Sequence, residues 1–179
     1  MLFQELQTLA KSARRHPLWV PNGNSRRVSI GRAGIEKLIP HREPFLLLDE
    51  ITEIGLEEKC LVGRRHISAE DPVFRGHFPG DPIYPGVLQL EIIGQLGLCL
   101  MHFLQAGTDE IGPEARPANV RALKIHGAQF LAPIAPGSNL TVLSRAIAWD
   151  DYTATCAGQI LLDGVICSFG VLEVFFVGE

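Results

Sequence analysis

The chain is short of positive charge, of paired cysteines and of a secretory pattern in its opening residues, and each shortage narrows the functions to expect. Lysine and arginine together number 16 against 20 acidic residues, a net charge of −4. A protein that coats nucleic acid or an anionic membrane carries a basic excess, so neither role is expected. Four cysteines occur, Cys60, Cys99, Cys156 and Cys167, and no two are spaced C-x-x-C. That removes the usual dithiol and zinc-ribbon patterns, and buried reduced thiols are expected instead. His41, His66 and His126 have no metal-ligand spacing, so no metal is expected. The opening "MLFQELQTLAKSARRHPLW" lacks a basic stretch followed by an apolar one. No secretory signal is read there, and the protein is expected in the cytoplasm.

What the chain does have is enough apolar material for one core. Its 179 residues suggest a single domain, and hydrophobic residues make up 46%. A chain of this size buries roughly two-thirds of its unfolded surface, so it needs neither disulfide nor metal to hold together. The most apolar window is "VLQLEIIGQLGLCLMHFL", residues 87–104. It approaches the length of a membrane span. However, Gln89, Glu91, Gln95 and His102 interrupt it, and an acid in the middle of a lone span is costly. The better reading is a helix surrounded by its own protein.

Residues 1–33 read as an N-terminal extension. Leu2, Phe3, Leu6, Leu9, Ala10 and Ala13 have helical spacing, with Lys11, Arg14 and Arg15 at the end where the helix dipole favours cations. Pro17 and Pro21 break the pattern, and "PNGNSRRVS" reads as loop. The extension is expected to pack on the main domain or a sister subunit, or to dock on a partner or a membrane surface. From residue 34 to 179, "GIEKLIPH" reads as a short helix, and "PFLLLDEITEIG" and "KCLVGRRHIS" as strands. "AEDPVFRGHFPGDPIYPG" is too rich in proline for a regular element. After the apolar helix, "NVRALKIHGAQFL", "SNLTVLSRAIAW", "YTATCAGQILLDG" and "VICSFGVLEVFFV" read as four strands separated by turn signals. The class is α+β, one buried helix against one antiparallel sheet.

The chemistry concentrates in residues 76–95, "GHFPGDPIYPGVLQLEIIGQ". Glu91 stands among leucines and isoleucines, with Gln95 one turn away on the same face. Burial raises a carboxyl pKa, so such an acid could give or take a proton near neutrality. The structural alternative is a glutamate that reaches the helix end or pairs with an arginine. His77, fixed between glycine and proline turns, suits a positioned base; it could equally be a loop histidine that bonds backbone. Pro85-Gly86 opens the helix, and free N–H groups there can hold a developing oxyanion. Spacing does not show that these three parts meet.

Three segments carry a family resemblance: "PHREPFLLLDEI" (40–51), "FRGHFPGDPIYPGVLQLEIIGQ" (74–95) and "AQFLAPIAPGS" (128–138). Together they resemble the 3-hydroxyacyl-[acyl-carrier-protein] dehydratases of type II fatty acid synthesis, in the branch whose helix carries Glu. The resemblance runs from about Gly34 to the C-terminus. It implies the hot-dog fold, an antiparallel sheet wrapped around one long helix. It also implies dimers, which can assemble into hexamers, with each site taking its histidine from one subunit and its acid from the other. By motif these are His77 as base and Glu91 as acid, with Gln95 orienting the acid and the Gly86 N–H holding the thioester carbonyl. The product is a trans-2-enoyl chain and water, formed without a cofactor, and the partner is acyl carrier protein.

Phe45, Phe78, Tyr84 and the helix leucines are candidate walls of an acyl tunnel, or plain core. His102 shares the stripe of Glu91 but lies ~16 Å along the axis, too far to join the reaction. One segment departs from the family. Relatives carry basic residues after the phenylalanine of the third motif, whereas here Leu131 and Ala132 follow Phe130, and Ser138 replaces an acid. Because carrier proteins are acidic, this touches the choice of carrier; Arg64, Arg65, Arg116 and Arg121 are the candidate substitutes. Two other functions stay open, a hot-dog thioesterase and a non-catalytic subunit of a hetero-oligomer.

Overall fold

The alternation of residues along the late strands explains how the layers stack. In the computed structural model, which describes residues 2–177, seven strands form one antiparallel sheet among the described residues. They are β1 (Arg26–Gly31), β2 (Glu50–Gly55), β3 (Cys60–His66), β4 (Val120–Phe130), β5 (Asn139–Trp149), β6 (Thr153–Leu162) and β7 (Val165–Phe176). The helices are α1 (Leu2–Ser12), α2 (Arg32–Leu38) and α3 (Gly86–Ala106). The spatial order is β1-β2-β3-β5-β6-β7-β4, so β4 leaves chain order and lies at an edge beside β7. The "DG" signal between β6 and β7 holds: Asp163 and Gly164 both have positive φ, 50° and 82°, as a two-residue hairpin turn requires.

Strand β6 is buried along nearly its whole length because both faces are covered. Side chains alternate across a strand. Cys156, Gly158 and Ile160 point towards α3, while Ala157 and Gln159 point the other way, towards α1 and the segment after it. On the inner side α3 lies very close to the sheet. A Cβ at Gly158 would come 2.3 Å from the Ile93 side chain, so only glycine fits there. Ile92, Leu96, Cys99, Leu100 and Phe103 on α3 have no exposed surface. The helix has the length and composition of a membrane span, but its own sheet wraps it. Glycine at 107, with φ 64°, ends it and returns its N–H to the Phe103 carbonyl.

On the outer side, α1 and residues 13–20 form a strap. Leu6 and Ala13 pack with Ala157, Phe169 and Val171, and Trp19 packs with Val62, Leu143 and Leu161. A buried glutamine secures it. Gln159 accepts the Leu18 N–H at 2.6 Å and donates to the Ala13 and His16 carbonyls at 2.6 and 3.0 Å. The four cysteines are buried and unpaired, and burial pushes the Cys60 and Cys156 thiols up to about 12.

Three expectations about elements need correction. Residues 26–29, the end of the segment read as loop, belong to strand β1, which runs to Gly31 and pairs with β2 at the sheet edge. "PFLLLD" is not strand: Phe45 and Leu46 turn back on the Arg42 carbonyl, and pairing in β2 begins only at Glu50. Helix α3 is longer than residues 87–104 at both ends.

Candidate active site

His77 owes its position to the turn that precedes it. Asp71 accepts the Val73 N–H with its side chain and starts the 3₁₀ turn Pro72–Arg75. The His77 N–H then bonds the Val73 carbonyl at 3.0 Å, and the His77 carbonyl accepts the Ile83 N–H at 3.1 Å. The ring is fixed as well. Its Nδ1 lies 2.9 Å from the Ile83 carbonyl oxygen. A carbonyl only accepts, so Nδ1 carries the hydrogen and Nε2 keeps its lone pair. The ring stacks on Phe78 at 4.1 Å between centroids.

Glu91 is held by a buried amide whose polar groups are all used. Gln95, 1% exposed, accepts the Leu47 N–H at 2.8 Å. Its Nε2 donates to the Phe45 carbonyl at 2.8 Å and to Glu91 Oε1 at 2.9 Å. Thus Gln95 fixes both the carboxyl and the irregular 45–47 segment against α3. The same carboxyl oxygen receives a second partner that sequence spacing did not indicate: His41 Nε2, 3.2 Å away. His41 Nδ1 is buried without a hydrogen-bond partner among the described residues.

These contacts reverse the expected direction of the Glu91 pKa. Burial does push it up. Even so, the hydrogen bonds from His41 and Gln95, together with the charge of His41, outweigh burial and hold the carboxyl below its ordinary value. The sequence expectation counted apolar neighbours and missed the histidine 50 positions earlier. The "PHREPF" motif contains that histidine, but no local spacing links it to Glu91.

Gly86 is the first residue of α3. The Phe130 ring lies against it, so that a Cβ there would come 2.7 Å from a ring carbon. Phe45 and Phe78 are about half exposed, at 49% and 51%, and are free to border a channel. Tyr84 is 2% exposed and sits in the main core beside Phe74. His66 bonds Asn139 and His126 bonds Glu173. Of the four suggested basic substitutes, Arg65 is mostly buried and paired with Asp49, and Arg64 bonds Thr141. Within one chain, no hydrogen bond joins His77 to Glu91 among the described residues.

Comparison with known proteins gives this arrangement a context. Residues 39–167 match the model of the FabA-like domain. A 3-hydroxyacyl-[acyl-carrier-protein] dehydratase FabZ from Sulfurimonas denitrificans is 40% identical over 147 residues, spanning 81% of this chain and 95% of its own. One from Campylobacter jejuni is 38% identical over 150 residues, spanning 81% and 96%. Among solved structures, the dehydratase heterocomplex ApeI:P from Xenorhabdus doucetiae matches with a TM-score of 0.64 and 18% identity, over 86% of this chain and 94% of that one. A putative thioesterase from Ralstonia eutropha matches with a TM-score of 0.50 and 16% identity, over 70% and 82%. At those identities the structural likeness speaks for the hot-dog fold alone. The sequence relatives say more, since they align over nearly their whole length, and the matched family model spans the segment that holds His77 and Glu91: the chain belongs to the FabA-like family, among the 3-hydroxyacyl-[acyl-carrier-protein] dehydratases.

Proposed function

We propose that this protein removes water from 3-hydroxyacyl chains carried on acyl carrier protein, leaving trans-2-enoyl thioesters, and that it does so as a dimer with one subunit's His77 facing the other's Glu91. His77 Nε2 takes the proton from C2. The electron pair moves towards the thioester oxygen, where the N–H groups at Gly86 offset the charge. The C3–O bond then breaks, and the Glu91 proton leaves with the hydroxyl as water. The chemistry calls for no redox change, and the residues named supply both proton transfers. The observation that carries the reading is the His77–Ile83 bond, which leaves an imidazole lone pair free in a ring that cannot turn away.

The low-lying Glu91 carboxyl poses a difficulty that His41 answers. To donate, the acid must hold a proton, yet its surroundings favour the carboxylate. A proton shared across the 3.2 Å between His41 and Glu91 can rest on either group. When substrate and partner subunit exclude water, the neutral arrangement, imidazole with carboxylic acid, costs less than the ion pair. His41 is therefore a positioning residue that supplies Glu91 with its proton.

The test is an absorbance assay of enoyl formation from 3-hydroxyacyl carriers of several chain lengths. His77→Ala and Glu91→Gln are each expected to lower turnover at least ~100-fold, with circular dichroism unchanged. Near-normal rates in either variant would sink the assignment. Release of free thiol without enoyl product would point to the thioesterase reading, and turnover only after addition of a sister chain to the non-catalytic one.

A further inference from the structure

The strap carries three cations for which the fold offers no counter-ion. Lys11, Arg14 and Arg15 are all exposed, and none pairs with a carboxylate among the described residues. Arg26 pairs with Asp109, Arg32 with Glu43 and Asp49, and Arg65 with Asp49, whereas these three unpaired cations fall within five consecutive residues. In a chain of net charge −4, three uncompensated cations on one short segment form a local positive field. They do not point into empty surroundings. Together with Leu131 they line a surface concavity of about 460 Å³.

The position of Leu131 gives the patch its meaning. It follows Phe130, whose ring covers Gly86 at the start of α3. Leu131 stands just past the end of β4, next in the chain to the residue that borders the proposed oxyanion site. The strap is moreover held in place at this spot. Gln159 bonds the carbonyls of Ala13 and His16, which flank Arg14 and Arg15.

We propose that Lys11, Arg14 and Arg15, delivered by the N-terminal strap to the side of Leu131, form the docking surface for the acidic acyl carrier protein. The partner's chemistry fits. A carrier is acidic and presents its acyl group on a phosphate-linked arm, and two adjacent guanidinium groups suit carboxylates and phosphate alike. The proposal rests on the dehydratase reading for the identity of the carrier, and adds where the carrier binds. Charges at the rim of an interface act mainly on association rate and salt dependence. The patch should therefore govern capture of the carrier and leave the chemical step alone.

The experiment uses the full chain and the triple variant K11E/R14E/R15E, with R27E, exposed on β1 at the opposite edge of the sheet, as a control for charge reversal away from the patch. Binding of a fluorescein-labelled holo acyl carrier protein is followed by anisotropy, and turnover is measured with a carrier-bound and with an N-acetylcysteamine 3-hydroxyacyl thioester. The triple variant is expected to bind the carrier at least ~10-fold more weakly with a flatter salt dependence, to raise KM for the carrier substrate, and to process the small neutral thioester as wild type does. Wild-type carrier affinity in the triple variant overturns the proposal, as does an equal loss in R27E. Wild-type protein that ignores the carrier but binds anionic phospholipid vesicles through these residues overturns it too. Wild-type protein that binds the carrier normally yet forms no enoyl product refutes the dehydratase reading alone, because the binding arm still reads the patch.

Discussion

Glu91 receives two donors on one oxygen, and its behaviour depends on which of them is removed. Gln95 is neutral and fully occupied, whereas His41 brings charge as well as a hydrogen bond. In His41→Ala, burial and Gln95 remain, so the Glu91 pKa rises. The acid limb of kcat/KM against pH should then move to higher pH, and His41→Gln, which keeps a donor without the charge, should lie between the two. An unmoved limb would show that His41 only packs. The same pKa bears on stability. A carboxyl held below its ordinary value of 4.5 stabilises the fold fully above that pH and loses the contribution as pH falls below it. Acid unfolding of His41→Ala should accordingly show a weaker dependence on pH in that window. Gly86 raises a separate question, one of space. Gly86→Ala places a Cβ 2.7 to 3.0 Å from three Phe130 ring carbons, which must move or push the helix start aside. A displaced oxyanion donor costs about 100- to 1000-fold in kcat. The double variant Gly86→Ala/Phe130→Leu should recover part of it, and a loss that the second change leaves untouched would place the fault elsewhere. Residues 76–95 revealed the histidine, the acid and the helix start because they are local. The His41 contact was hidden because it joins two segments across the fold.

At the scale of elements, the strap is the part whose attachment can be broken without touching the core. Gln159 is buried in β6 and satisfies one N–H and two carbonyls of the strap. Gln159→Leu leaves those three groups without their partner, at about 1–3 kcal/mol for each one that water does not reach. Amides from α1 to Leu18 should then exchange faster with solvent, while those of α3 keep their protection. Unchanged exchange in α1 would mean that Leu6 and Ala13 hold the strap by packing alone. How far each element was readable follows from how it is stabilised. Helix α3 stood out because an unbroken apolar run bounded by Pro85-Gly86 and Gly107 has few other solutions. Strands β5 to β7 stood out through their turns. Strand β1 did not, since "SRRVSIG" is polar and short, and only its pairing with β2 at the sheet edge makes it a strand. The "PFLLLD" run misled for the opposite reason. It is apolar enough for a strand, but the Gln95 contacts with Phe45 and Leu47 hold it against α3 instead.

At the scale of the whole molecule, one edge of the sheet looks unfinished. Strand β4 has 11 residues and pairs only with β7, so its other side offers a long row of unpaired backbone groups. Leu123 and Ile125 on it are each 57% exposed. Long apolar edges invite pairing, and proteins that stay single blunt them with charge or proline. Here Lys124 and Arg121 contribute the only cations on the strand, and no proline interrupts it. Helix α3 tells the same story. Glu91, Gly94, Leu98 and His102 recur at helical spacing and are only partly covered by their own chain. A second copy paired along β4 would cover the strand edge and bring a neighbouring surface towards that stripe, which is what a site shared between His77 and Glu91 requires. Ile125→Lys places a charge in the middle of the edge and, by the same reasoning, should leave a folded single chain. Analytical ultracentrifugation should give the mass of one chain where the parent gives two or a multiple of two. Dehydration should fall at least as far as in His77→Ala, although both residues are present in every molecule. Mixing the separate His77→Ala and Glu91→Gln proteins adds a sharper measurement. If subunits exchange, half of the mixed dimers' sites combine an intact histidine with an intact acid, and activity returns to a substantial fraction of the parent's. A single chain that works unaided would give a fully active Ile125→Lys monomer and no recovery on mixing, and that pair of results would refute the shared site.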